Sequence, residues 1–201
     1  HDGIHTGHQA LRIKQLFYDF DCQYIVLDRA GAGIGVYDML AEKTIDKERG
    51  KNYEALSCMN NDELAKRCMY PNSPKVIYAI HGNSELNSEI AFKFKDDLSR
   101  GKIQLPVIEV EGREFLISSE KFTELPLDIQ QKFSMTYVQA SLLINETINL
   151  ETEINKDTGR VKLKETRGAR KDRYSSISYL NYFASELEIK NRKDKPKTYD
   201  V

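Results

Sequence analysis

The N-terminal part of the chain places apolar side chains at roughly helical spacing behind a polar start. Thr6 and Gln9 stand in the relation of a capping box, which predicts that a helix begins there. The apolar positions of this helix are Leu11, Ile13, Leu16, Phe17 and Phe20.

Unbroken apolar runs then alternate with helical patterns. The run at 23–27 contains Tyr-Ile-Val-Leu, which is typical of a parallel strand covered on both faces. A second helix is predicted near Gly35 and a second strand at 75–80. The apolar face of the following helix comprises Leu86, Ile90, Phe94 and Leu98. Helices alternating with strands predict an α/β fold with a parallel sheet.

The second half of the chain has a different pattern. The stretch LPVIEVEGREFLISS, interrupted by Pro106 and Gly112, is predicted to be extended, and a long helix follows it. Apolar and polar residues alternate on both sides of the turn at 156–159, which predicts a β-hairpin. The last helix is predicted to start at KDRYSS. From Asn191 the chain is predicted to be a mobile basic tail, because almost no apolar residues remain.

Size and composition limit the classes of protein. The 201 residues suffice for one sizeable domain, and no apolar run approaches the roughly 18 residues of a membrane span. The cysteines lack metal-ligand spacing and favour a reducing cytoplasm. We interpret His1, His5 and His8 as a solvated terminus rather than a metal cluster, and His81 as structural.

Asp28 ends the first predicted strand and is followed by Gly31, Gly33 and Gly35. A dinucleotide-binding turn needs glycine at the position of Val36, and the sequence contains no P-loop motif, so these glycines do not predict a nucleotide site. Open α/β sheets place reactive groups at the carboxyl ends of their strands. Asp28 is therefore a candidate functional residue. The alternative is that its carboxylate only holds its own turn through backbone hydrogen bonds.

Positive charge is concentrated between Arg160 and Arg173. This window has a net charge of +5, whereas the rest of the chain sums to −6. A local basic patch can bind phosphates, and the alternative is a solvated hairpin edge protected by lysine and arginine. The candidate DNA-binding residues are Arg160, Lys162, Lys164, Arg167, Arg170, Lys171 and Arg173.

Taken together, three segments resemble the nuclease domain of the large terminase subunit of tailed bacteriophages. They are HTGHQALRIKQLFYDFDCQYIVLDRAGAGIGVYDML, LNSEIAFKFKDDL and RKDRYSSISYLNYFASELE, in this order. The most specific part is the combination of IVLD and its glycine loop with KDRYSS. The resemblance implies an α/β, RNase H-like mixed sheet flanked by helices, with an added β-hairpin near the C-terminal helix. Residues 1–190 would form the nuclease domain and residues 191–201 the tail.

By position, the resemblance implies that Asp28 and Asp172 are catalytic metal ligands that meet in the fold. From the residues alone, Asp172 could equally be a helix N-cap. The implied cofactors are two Mg²⁺ or Mn²⁺ ions, which are hard cations that prefer carboxylate oxygen. The implied activity is endonucleolytic hydrolysis of concatemeric viral DNA during packaging, in the cytoplasm of the bacterial host. Double-stranded DNA, an ATPase domain, the small terminase subunit and the portal are the implied partners, and no membrane is involved.

The family's first acidic ligand lies on a strand upstream of the first helix of this pattern. Four aspartates could replace this ligand by residue type, but none lies on a strand before that helix; they are Asp2, Asp19, Asp21 and Asp38. We therefore expect the leading strands and the ATPase domain to be missing here, cleavage by this chain alone to be weak, and the strand at Asp28 to have an open edge. A DNA- or portal-binding module without cleavage is the alternative function, and a nucleotide-binding regulator is a weaker one.

Overall fold

The computed structural model describes residues 5–119, 121–166 and 170–193. The chain divides into two compact units, His1–Asn83 and Ser84–Val201. The described elements of the first unit are α1 (Thr6–Asp19), β1 (Ile25–Asp28), α2 (Gly33–Leu40), β2 (Thr44–Asp46), β3 (Lys51–Tyr53), β4 (Ser57–Cys58), α3 (Asp62–Arg67) and β5 (Lys75–Ile80). Those of the second unit are α4 (Ser84–Ser99), α5 (Glu109–Ser118), α6 (Leu127–Ile148), β6 (Leu150–Ile154), β7 (Val161–Glu165) and α7 (Asp172–Lys193).

A three-stranded parallel sheet of order β1-β5-β4 lies in the first unit. Ile25 lies opposite Ile77, and Asp28 lies opposite Ile80. The predicted parallel sheet is therefore confirmed, with β2 and β3 forming a separate antiparallel pair. Within the described residues β1 pairs with β5 alone, so it is an edge strand of this sheet.

Hydrogen bonds of two side chains, Tyr37 and Asn60, support the packing of the first unit. The Tyr37 hydroxyl donates to the carbonyl of Leu64 at 2.7 Å and accepts from the amide of Cys58 at 3.3 Å, so its polar end is satisfied. Beyond β4, the Asn60 side chain continues the sheet in place of a backbone. Its Nδ2 donates to the Ala79 carbonyl at 3.0 Å and its Oδ1 accepts from the Ala79 amide at 2.8 Å.

Helix α1 begins differently from the prediction. His5 is the N-cap, and its Nδ1 accepts from the amide of Gly7 at 3.3 Å. Thr6 is already helical, so the predicted capping box of Thr6 and Gln9 is wrong. The polar residues at the beginning of the sequence did mark where α1 starts, but the capping acceptor is the imidazole of His5, one residue before Thr6.

Two buried polar residues of α1 hold the segment that follows α2. Lys14 Nζ donates to the carbonyl of Glu42 and to Thr44 Oγ1, the latter at 3.0 Å. Gln15 donates to Asp46 Oδ2 at 2.8 Å. Burial lowers the pKa of Lys14 to about 8, because desolvation of the ammonium outweighs the attraction of Glu42.

Most of the stretch predicted to be extended is helical, since α5 occupies Glu109–Ser118 and only the residues before it and Ser119 are not in a helix. A Cβ at Gly112 would lie 2.2 Å from Tyr137 Cγ, so this glycine allows α5 to pack closely against α6. Ser141 Oγ on α6 accepts from the amide of Glu109 at 2.8 Å and satisfies a donor at the helix start. The extended prediction is wrong because contacts with α6 decide a conformation that the local pattern left ambiguous.

The second unit contains a core shared by α4, the hairpin, α6 and α7. The rings of Phe94 and Tyr174 meet edge to face with centroids 5.3 Å apart. The amide of Val161 donates to Ser88 Oγ at 2.9 Å and ties β7 to α4. The predicted hairpin, the long helix before it and the helix after it are confirmed.

Helix α7 ends at Lys193, so the first residues of the predicted tail, 191–193, are helical. Residues 194–201 lie outside the described residues. None of the helices in the described part of the chain combines the length and the hydropathy that a membrane span requires.

Candidate metal and nucleic-acid site

Asp28 is exposed at the carboxyl end of β1, on the sheet edge where α/β proteins commonly bind ligands. Its Oδ1 accepts from the amide of Ala30 at 2.9 Å and closes a turn. The amide of Arg29 donates to the carbonyl of Ile80 at 2.8 Å, so pairing with β5 continues past the strand. The turn-holding role of Asp28 is therefore present, and no described residue forms a hydrogen bond with its Oδ2.

The glycine loop fixes the backbone around Asp28. A Cβ at Gly33 would lie 1.8 Å from the carbonyl oxygen of Asp28, an overlap that a side chain could not avoid without moving the loop. Gly31 has a φ of 54°, in the left-handed region that glycine adopts without strain. The loop therefore turns tightly beside Asp28 and enters α2 at once.

Asp172 is the exposed first residue of α7. A carboxylate in the first turn interacts favourably with the helix dipole. Asp28 belongs to the first unit and Asp172 to the second, and the approach of the two carboxylates stays a prediction. Among the described residues, no group of three or more His, Cys, Asp and Glu side chains that could hold a metal ion is found.

The sequence left Asp172 as a possible N-cap of α7, but the side chain that caps this helix is Glu146 on α6. Its Oε2 accepts from the amides of Arg173 at 2.8 Å and Tyr174 at 3.2 Å. Its Oε1 accepts from Arg173 Nη1 at 2.6 Å. Arg173 Nε also donates to Gln139 Oε1 at 2.7 Å, so this predicted DNA-binding residue joins α7 to α6.

Other predicted DNA-binding cations also have carboxylate partners. The pairs are Arg160 with Glu85 at 2.8 Å, Lys164 with Glu153 at 2.6 Å, and Lys171 with Glu165 at 3.3 Å. In the hairpin register, Lys162 lies opposite Glu153 and Lys164 opposite Glu151. The polar face of the hairpin thus alternates in sign, as expected for a solvated edge.

The remaining predicted cations differ in their surroundings. Lys162 is exposed and forms no ion pair with a described residue. Arg170 is exposed just before α7. Arg167 lies outside the described residues. A phosphate-binding role for the seven cations stays a prediction.

Asp97 is a buried carboxylate that the sequence did not single out. Its Oδ2 accepts from Lys93 Nζ at 2.6 Å and from Asn181 Nδ2 at 3.0 Å, which joins α4 to α7. Burial acts to raise its pKa, but these hydrogen bonds and the charges of Lys93 and Lys102 outweigh burial and leave the pKa below its usual range. The available signal was a carboxylate three residues after Phe94 on an apolar helix face.

Comparison with known proteins does not assign the chain to a family. No family model, curated protein or solved structure matches it. The class that the structure defines is a mixed α/β protein with small sheets.

Proposed function

We propose that the chain is the nuclease domain of a phage terminase large subunit, with an RNase H-like fold, acting in the cytoplasm of the bacterial host. It would hydrolyse phosphodiester bonds of concatemeric DNA with Mg²⁺ or Mn²⁺. The carrying observation is the exposed Asp28 carboxylate at the carboxyl edge of a parallel sheet, held by a glycine turn. A hairpin that precedes the last helix agrees with this proposal.

The donor atoms suit a hard divalent cation. Asp28 and Asp172 both offer exposed carboxylate oxygens, and neither forms an ion pair with a described residue. Divalent ions bound there would activate a water molecule and offset the charge on the scissile phosphate. The Ala30 amide orients Asp28. Because Gly33 has no side chain, its backbone can lie against the Asp28 carbonyl without overlap. Cations between Arg160 and Arg173 would hold DNA by its phosphates, without base specificity.

Manganese titration followed by paramagnetic broadening of amide NMR signals tests the metal site. We expect broadening around Asp28 and Asp172, and we expect Asp28→Asn and Asp172→Asn each to weaken it. The matched controls are Asp62→Asn and Asp157→Asn, which remove exposed carboxylates from the same two units and should leave the broadening unchanged. Plasmid cleavage in Mg²⁺ and Mn²⁺ is measured on the same proteins.

The outcomes separate the two candidate functions. Broadening at both aspartates with cleavage that Asp28→Asn abolishes would support the nuclease. Duplex binding without any manganese response at millimolar metal would refute it. That result would identify a DNA-binding module without cleavage, and portal binding without duplex binding would identify the corresponding portal-binding module.

A further inference from the structure

A cleft of about 270 Å³ lies within the second unit, between the N-terminal part of α4, strand β7 and the N-terminal half of α7. Its volume is just below the range of pockets that hold drug-sized ligands, so it suits a phosphate group with part of its sugar. The polar residues that matter here are Lys162, Lys171, Tyr174, Ser84 and Asn87.

The charge of its walls favours an anion. Two lysines and no carboxylate occur among the described lining residues. Three other clefts of the chain each include a carboxylate, for example Glu109, Asp62 and Asp46. In a chain with 30 basic and 31 acidic residues, a wall with lysines alone is a local departure from charge balance.

Tyr174 adds a neutral donor. The residue is 8% exposed, its ring packs against Phe94, and it lines the cleft. Its hydroxyl forms no hydrogen bond with a described residue, so it is available to a ligand in the cleft. Burial raises the pKa of Tyr174 to about 12, so the hydroxyl keeps its proton at neutral pH and can donate it to an anion.

Helix α4 contributes two further groups. Ser84 is the first residue of this 16-residue helix and lines the cleft at its N-terminus. Asn87 Oδ1 accepts from the Tyr179 hydroxyl at 3.2 Å, which leaves the amide NH₂ of Asn87 as a donor. A ligand must compete with two carboxylates beside the cleft lysines. Glu165 lies 3.3 Å from Lys171 Nζ, and Glu153 lies opposite Lys162 in the hairpin register.

We propose that this cleft binds a phosphate group, and that the phosphate is one of the backbone phosphates of double-stranded DNA. Lys162 and Lys171 supply charge, while Tyr174 and Asn87 supply neutral donors. The choice of DNA as the source rests on the proposed function. The anion preference of the cleft rests on its own lining residues.

Fluorescence anisotropy with a labelled DNA duplex, measured over a series of salt concentrations, tests the proposal. Lys162→Gln and Lys171→Gln should each weaken binding and reduce the slope of log affinity against log salt by about 0.9. Lys95→Gln is the matched control: it lies on α4 in the same unit, is exposed, removes the same charge and does not line the cleft. Tyr174→Phe keeps the ring and should weaken binding by about two- to tenfold without changing the slope.

A second titration, with inorganic phosphate and amide NMR, separates failure of the cleft from failure of the nuclease proposal. We expect shifts at Lys162, Lys171 and Ser175. Shifts without duplex binding would overturn DNA as the source and leave a free-phosphate site. Equal effects of Lys162→Gln and Lys95→Gln on duplex binding, or absence of phosphate shifts, would overturn the cleft even if the chain cleaves DNA.

Discussion

Replacing Glu146 by alanine should reduce the free energy of unfolding by about 3 kcal/mol. The carboxylate is 8% exposed and accepts hydrogen bonds from two amides at the start of α7 and from the Arg173 guanidinium. Loss of a helix cap costs about 1 kcal/mol. Removal of one partner from a buried ion pair costs about 3–5 kcal/mol. The Arg173 side chain is 36% exposed, so solvent screens its lost partner and the lower end of this range applies.

Urea unfolding followed by circular dichroism measures this loss. Glu146→Gln keeps the shape and one acceptor but removes the charge, so it should cost about half as much as alanine. The matched control is Asp128→Ala on the same helix. Asp128 forms an exposed ion pair with Lys132 at 3.6 Å, and its loss should cost less than about 0.5 kcal/mol.

A double-mutant cycle with Arg173→Met tests the pairing itself. Glu146 and Arg173 should show a coupling energy of at least about 1 kcal/mol, because their side chains meet at 2.6 Å. A Glu146→Ala loss no larger than that of Asp128→Ala would refute the cap. Additive single-mutant effects would refute the ion pair while leaving the backbone cap intact.

Three further predictions concern packing and pH. Gly33→Ala should cost about 2 kcal/mol or more in urea unfolding, because its Cβ would overlap the Asp28 carbonyl. Gly35→Ala is the control, since its Cβ would make only an ordinary contact with Thr6 at 3.5 Å, and equal losses would contradict the prediction. Between about pH 8 and 10.5 the unfolded chain binds more protons at Lys14 than the folded chain, so its contribution to stability should rise with pH; Lys14→Met should lose this rise in pH-dependent unfolding, and parallel curves would contradict it. The contribution of Asp97 also rises with pH, but in the acid range: its folded-state pKa lies below the usual 3.8, so the stability it contributes is present above that pH and is lost as pH falls through the lower folded value. Asp97→Asn should therefore flatten the acid limb of the stability curve, and an unchanged limb would count against the contact.

The elements that could be predicted are those with a sustained period. Strand β5, helices α4 and α6, and the β6–β7 hairpin all follow from apolar spacing within one segment. Strands β2 to β4 have two or three residues each, too few for a period, and they were not predicted. Their position depends on contacts with residues far away in the sequence. The Asn60 side chain, for example, forms two hydrogen bonds with the backbone of Ala79 on β5.

In the candidate site, too, the contacts between neighbouring residues could be predicted and the contacts between distant residues could not. Asp28 and its glycine turn could be identified locally, because the hydrogen bond to Ala30 spans two residues. The Glu146 cap of α7 joins positions 27 and 28 residues apart, and the Arg160 to Glu85 bond spans 75. A sequence shows that such charged residues exist but not which of them form ion pairs. A cation that is paired with a carboxylate therefore cannot be distinguished from one that is not.

This difference changes the meaning of the basic window. A lysine or arginine that leaves a carboxylate to bind a phosphate exchanges one ion pair for another, and exposed ion pairs differ little in free energy. Arg160, Lys164 and Lys171 would make this exchange, whereas Arg173 would leave the buried carboxylate of Glu146 without its partner. Lys162 forms no ion pair with a described residue, so it can bind a phosphate by giving up only its longer-range attraction to Glu153. Phosphate binding by this window should therefore depend on the cleft beside Lys162 more than on the alternating charges of the hairpin face, and a charge count from the sequence overstates how many cations take part.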